Sequence, residues 1–164
     1  MNLEKYNTQD LLLAAIKSEI DSKTIYTKLA GSIRNDLIKD KLLFLATEEA
    51  KHQQFIETMF IKQYPNKRIT IPKKTVVPLP TILDMDENTP LSKIVESAMN
   101  AEHAAQEFYK ALAKQYKNDS TTQHMLQYFS DMELQHYKIL EVEKESMERF
   151  EQADVYWPMV HAGP

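Results

Sequence analysis

Six residues of this 164-residue chain have the types and spacing to hold metal ions: Glu19, then Glu49 with His52, in the first half, and Glu102, then Glu133 with His136, in the second. Residues three apart share a helix face, so each Glu-x-x-His pair can aim a carboxylate and an imidazole at one point in a bundle core. Four helices carrying these groups supply four carboxylates and two imidazoles, the ligand set of helix-bundle di-iron and di-manganese sites. One Glu-x-x-His alone is weak evidence, because both residues are common on solvated helix faces. Here the pair occurs twice, preceded by a glutamate 30 residues earlier in one half and 31 in the other. A duplicated helical hairpin explains the echo.

An aromatic layer repeats as well. Tyr26 lies seven residues after Glu19 and Tyr109 seven after Glu102, so each tyrosine returns to its glutamate's face about two turns on. The expectation is that both sit just outside the ligands and donate hydrogen bonds to Glu133 or Glu49, fixing carboxylate orientation. The plainer alternative is two core aromatics whose hydroxyls find any acceptor. For the carboxylates the plain alternative is a buried salt-bridge network, which needs lysine or arginine turned inward. Lys23 and Lys51 face outward by helical phase. Without metal, burying four carboxylates together is costly and raises their pKa values by desolvation and mutual repulsion.

The elements that must position these groups follow from periodicity. The first helix is expected from about Asp10 to Ala30, with Leu12, Ala15, Ile16, Glu19, Tyr26 and Leu29 inward, Asn7 or Thr8 as cap, and Gly31-Ser32 ending it. The second runs from about Arg34 to Lys62 with Leu42, Leu45, Glu49, His52, Ile56 and Met59 inward, and Pro65 stops it. Pro65, Pro72, Pro78 and Pro80 mark residues 65–88 as one long crossover, whose Ile69, Ile71, Val76 and Val77 should cover part of the bundle. Thr89-Pro90 reads as N-cap and first-turn proline of a third helix, about Leu91 to Lys117, with Leu91, Ile94, Ala98, Glu102, Ala105, Tyr109 and Leu112 inward. Asp119 or Ser120 caps a fourth, carrying Leu126, Phe129, Glu133, His136, Leu140 and Met147 inward. The fold class is therefore all-α: two hairpins in a four-helix bundle over residues 1–150, joined by one long crossover, then a tail over 151–164 packing on the bundle or a partner.

Composition bounds the function. The chain is 43% apolar and 27% charged, as expected of one globular domain. A net charge of −4 gives no electrostatic reason to expect nucleic acid or an anionic membrane. No run approaches the roughly 18 apolar residues of a membrane span, and the first residues lack a signal-peptide core, so a cytoplasmic location is expected. With no cysteine and two glycines, thiol chemistry, cysteine-ligated iron and a glycine-rich phosphate loop fall away. His124, His161 and Trp157 belong to no constellation; Trp157 is expected to pack over a bundle end or a partner surface.

From about Asp10 to Arg149 the motifs resemble the ferritin-like di-iron proteins and, among them, the rubrerythrin branch. The resemblance implies two iron ions, with manganese or zinc also accepted by such ligands, bridged by Glu49 and Glu133. Glu19 and His52 would complete one metal, Glu102 and His136 the other, and the pair would react with peroxide or dioxygen. Two departures stand out. Rubrerythrins carry a further glutamate three residues after the position of Glu102, where this chain has Ala105, and they usually carry a cysteine-ligated iron module for electron delivery. His103 is rotated about 100 degrees from Glu102 and is expected at the surface or between helices rather than as a ligand. The expectation is a di-iron oxidoreductase with a separate electron-donor protein, assembled as a homodimer. The alternatives are an iron-binding or storage protein, and a structural or interaction protein with a degenerate metal site.

Overall fold

Asn7 sets the start of the first helix. Its Oδ1 accepts the backbone N–H of Asp10 at 2.8 Å, satisfying a donor that the first turn leaves without an intrahelical partner. From there α1 (Thr8–Ser32) ends within the Gly31-Ser32 pair expected to end it, although Gly31 has no positive φ and so forms no left-handed cap. The computed structural model describes residues 3–32, 36–73, 76–77 and 90–156. The remaining helices are α2 (Asp36–Gln63), α3 (Leu91–Ala113) and α4 (Ser120–Tyr156). Helix α2 stops just before Pro65, and the Asp119 carboxylate caps α4 by accepting the Thr122 N–H at 3.1 Å. Pro90 occupies the cap position of α3 itself and no side chain caps that end; Thr89 lies outside the described residues.

The third helix ends four residues before the expected Lys117. Lys114, Gln115 and Lys117 are good helix formers, but Tyr116 is buried and donates its hydroxyl to Gln63 Oε1 at 2.9 Å. Placing that ring against the end of α2 turns the chain after Ala113, through the bonds Gln115 N–H to Leu112 O and Tyr116 N–H to Ala113 O. A tertiary contact has overridden local propensity.

Each hairpin pairs α1 with α2 and α3 with α4, and the hairpins close on each other through α1 against α3 and α2 against α4. Both of these seams are antiparallel. Tyr26 meets Glu102 while Tyr109 meets Glu19, and His52 meets Glu133 while His136 meets Glu49. This is the all-α bundle with one long crossover expected above, since α2 and α3 can run the same way only if the chain returns the length of the bundle between them.

Two apolar clusters lie on either side of the mid-bundle layer. One holds Leu12, Ile16, Ile56, Phe60, Phe108, Leu112 and Phe129; the other holds Leu29, Leu42, Leu45, Val95, Ala98, Leu140 and Met147. Leu91, Ile94 and Met59 are only partly buried, at the margins of these clusters. Near its start α1 is buried all round, from Leu11 to Ile16, and Leu3, Ile69, Val76 and Val77 pack into the same apolar cluster. The described part of the crossover thus does cover the bundle, although Ile71 stays exposed; residues 151–156 of the expected tail continue α4, and Pro78, Pro80 and residues 157–164, with Trp157 and His161, lie outside the described residues.

Candidate metal centre

The helices bring all six expected residues to one layer. Glu19, Glu49, His52, Glu102, Glu133 and His136 are each between 1% and 4% exposed, in a layer flanked by Leu45, Ile56, Phe129 and Leu140, one turn from Glu49, His52, Glu133 and His136. The two imidazoles are stacked 5.6 Å apart at 18°. His52 Nδ1 lies 3.1 Å from Glu133 Oε1 and 3.5 Å from both Glu19 Oε2 and Glu49 Oε2. His136 Nδ1 lies 3.3 Å from Glu49 Oε1 and Glu133 Oε2, and 3.5 Å from Glu102 Oε2. Glu49 and Glu133 therefore each divide their two oxygens between the imidazoles, whereas Glu19 serves one and Glu102 the other.

Two overlapping clusters result, Glu19-Glu49-His52-Glu133 and Glu49-Glu102-Glu133-His136, each with candidate ligand atoms within 4.8 Å of one another. Glu49 Oε1, Glu133 Oε1 and the Nδ1 atoms of both histidines are buried without an aligned hydrogen-bond partner. Buried polar atoms are ordinarily satisfied, and these converge on common points, so the donor set fits two cations bound by oxygen and nitrogen. No lysine or arginine is among the buried charged groups of the described residues, and Lys23 and Lys51 are exposed. The salt-bridge alternative lacks the inward lysine or arginine it needs.

The tyrosine expectation needs correcting in its partners. Tyr26 donates to Glu102 and Tyr109 to Glu19, so each hydroxyl orients the outer carboxylate of the opposite hairpin rather than Glu49 or Glu133. The antiparallel α1–α3 seam is the reason: it places each tyrosine level with the other helix's glutamate. Burial, then the adjoining carboxylate charge, raises both phenols' pKa values, so both remain donors.

Electrostatics splits the carboxylates into two kinds. Burial, followed by the charge of Glu49, raises Glu19 and Glu102 well above the usual range. At Glu49 and Glu133 burial acts in the same upward direction, but the facing imidazoles overcome it and hold both below that range. Burial opposes charge on His52, yet Glu133, Glu19 and Glu49 lift it to about 12; Glu102, Glu133 and Glu49 raise His136 likewise. With no cation bound, the facing charges thus favour anionic Glu49 and Glu133 and protonated imidazoles.

Other positions lie outside the cluster. His103 is exposed and packs its ring against Tyr137 at 6.4 Å; His124 is exposed as well. Ala105, one turn beyond Glu102, is buried. The buried Glu143 is bonded to Lys41 across the α2–α4 seam, and its seven-residue step from His136 is a signal of it in the sequence.

Residues 10–144 match the family model described as Rubrerythrin. A solved structure of a hypothetical protein from Pyrococcus furiosus is similar over 92% of this chain and 98% of its own, at 29% identity and a TM-score of 0.78. No curated protein matches the chain.

Proposed function

This chain belongs to the rubrerythrin family, and from that premise we propose that it is a di-iron oxidoreductase that reduces peroxide or dioxygen with electrons from a separate donor protein. The observation that carries the reading is the pair of carboxylates, Glu49 and Glu133, each presenting one oxygen to each imidazole in a buried layer. In this reading Glu49 and Glu133 would be shared by both metal ions, Glu19 and His52 would complete the ligands of one, and Glu102 and His136 those of the other. Four carboxylates offset the charge of two divalent cations. Bound there, two iron ions would supply one electron each for reduction of the oxidant.

The chain's own contribution is geometry and exclusion of water. Tyr109 and Tyr26 hold Glu19 and Glu102 by hydrogen bonds, restricting the two carboxylates that have only one imidazole each. Leu45, Ile56, Phe129 and Leu140 close the layer above and below and keep water from competing for the metal positions. The absence of cysteine means that these residues cannot themselves hold a thiolate-ligated electron-transfer iron, which supports a separate donor.

Anaerobic titration with ferrous iron, followed by stopped-flow mixing with peroxide or dioxygen, tests the proposal. Two equivalents should bind per chain, one or other oxidant should convert them to the ferric state, and Glu49→Ala and His136→Ala should each cut binding. Unchanged binding in both variants would sink the assignment. Fast oxidation followed by accumulation of many irons in a large particle would favour storage, and stability indifferent to iron would favour a degenerate site. Ala105→Glu, which adds a carboxylate one turn from Glu102, should raise peroxide turnover if that missing group limits the reaction.

A further inference from the structure

Residues 84 positions apart occupy equivalent places in the two halves, as Glu49 and Glu133 do and as His52 and His136 do. By the same step Phe129 corresponds to Leu45, and Tyr128 to Phe44. Phe129 is buried with its ring 4.8 Å from His52, 5.5 Å from Tyr109 and 5.1 Å from Phe55. Beside it, at 6.3 Å, stands Tyr128, which is 56% exposed. A continuous series of rings thus joins solvent to an imidazole of the cluster and to the tyrosine that holds Glu19. In the other half Phe44 is 50% exposed, but the place equivalent to Phe129 is held by Leu45, which has no ring, so the series is not repeated there.

We propose that Tyr128 and Phe129 form the electron route into the centre, one-sided, with Tyr128 as its surface terminus and His52 as its inner end. The proposal rests on the di-iron reading. A one-electron donor at the surface would be oxidised by one electron, the rings in contact would transmit that electron, and one ferric ion held beside His52 would be reduced to ferrous. No bond forms or breaks in the rings, and no proton accompanies the electron along them. Conjugated rings in contact couple electronically better than a saturated isobutyl group, and the tilted and edge contacts of Phe129 are a favoured geometry for buried rings, so its position is fixed.

Because the chain has no cysteine, Tyr128→Cys and Phe44→Cys each create one thiol for attaching a ruthenium polypyridyl photoreductant. The two positions lie five residues before Glu133 and Glu49 respectively, so the label starts from equivalent places. Flash photolysis of the ferric protein, with iron content measured in the same samples, reads the rate of electron injection. Injection should be several-fold faster from position 128. Adding Phe129→Leu to the labelled Tyr128→Cys protein should remove that excess, and adding Leu45→Phe to the labelled Phe44→Cys protein should create one. Equal rates from the two positions, or a faster rate from 44, overturn the route and leave the di-iron reading standing. No reduction from either position overturns both. Should Phe129→Leu lose iron, the comparison of the two labelled positions and the Leu45→Phe gain still decide.

Discussion

The two halves of the metal layer are alike in their ligands and unlike one step further out. Inside, Glu19, His52 and Tyr109 are matched by Glu102, His136 and Tyr26, with Glu49 and Glu133 common to both clusters. Outside, the α2–α4 seam carries Lys41 bonded to Glu143 at one end, where the equivalent positions at the other end are Met125 and Met59, packed on apolar residues. Phe129 likewise faces Leu45 across the pseudo-symmetry. Metal coordination demands the same donor atoms at both positions, so duplication preserves them. The surrounding shell needs only volume and satisfied polar groups, so it can diverge and give the two sides different access and different electronic coupling.

The comparison breaks most sharply at the shared carboxylates. Glu133→Ala should lose both metal equivalents, whereas Glu19→Ala should lose about one, because Glu133 belongs to both clusters and Glu19 to one; metal analysis after gel filtration distinguishes them. Equal losses would mean that the clusters do not share ligands as drawn. Next in size, Tyr109→Phe and Tyr26→Phe should each weaken one metal position by about 10- to 100-fold, and by similar amounts if the inner symmetry is functional. Competition with a chromophoric chelator would measure this, and an effect confined to one tyrosine would show that the symmetry stops at the ligands.

Protons occupy the same atoms as the metal, which predicts a pH effect common to both halves. Loading must release protons from His52, His136, Glu19 and Glu102, so apparent affinity should rise with pH through neutrality and an unbuffered titration should turn acidic. The stability of the metal-free fold has the opposite trend. The His52 contribution, with a pKa raised to about 12 from 6.5, is complete below the lower value and is lost as pH climbs through the upper one. Chemical denaturation at several pH values, with and without zinc, reads both trends; pH-independent affinity would refute the proton inventory.

The smallest expected effect lies at the unlike ends of the seam. Lys41→Met leaves Glu143 buried without its cation and should cost about 1–2 kcal/mol, below the value for a fully buried pair because Lys41 is 37% exposed. Adding Glu143→Met makes that end resemble the Met59 and Met125 end and should recover most of the loss. Urea unfolding of the single and double variants tests it, and a double variant less stable than the single would show that the pair contributes something that apolar packing cannot replace.

The convergence of the six candidate ligands was readable because it is written in local repeats: a Glu-x-x-His step needs only helical periodicity to place both groups on one face. Phe129 and Leu45 were readable as core for the same reason. The end of α3 was not, since Lys114, Gln115 and Lys117 favour helix and nothing local announces that Tyr116 will seat against Gln63. The partners of Tyr26 and Tyr109 were misassigned because they depend on how α1 and α3 run past each other. The Lys41–Glu143 bond depends in the same way on the α2–α4 seam.

By itself the sequence determined which residues share a helix face, where most helices begin and end, that two hairpins repeat, and hence that four carboxylates and two imidazoles are available to one layer. These are consequences of a fixed helical pitch and of capping chemistry within a few residues. Only the tertiary structure decided which carboxylate spans both imidazoles, which tyrosine holds which glutamate, and that an aromatic series reaches solvent beside His52 but not beside His136. Those relations lie between helices far apart in the chain, and their register is set by packing across the seams rather than by periodicity along any one of them.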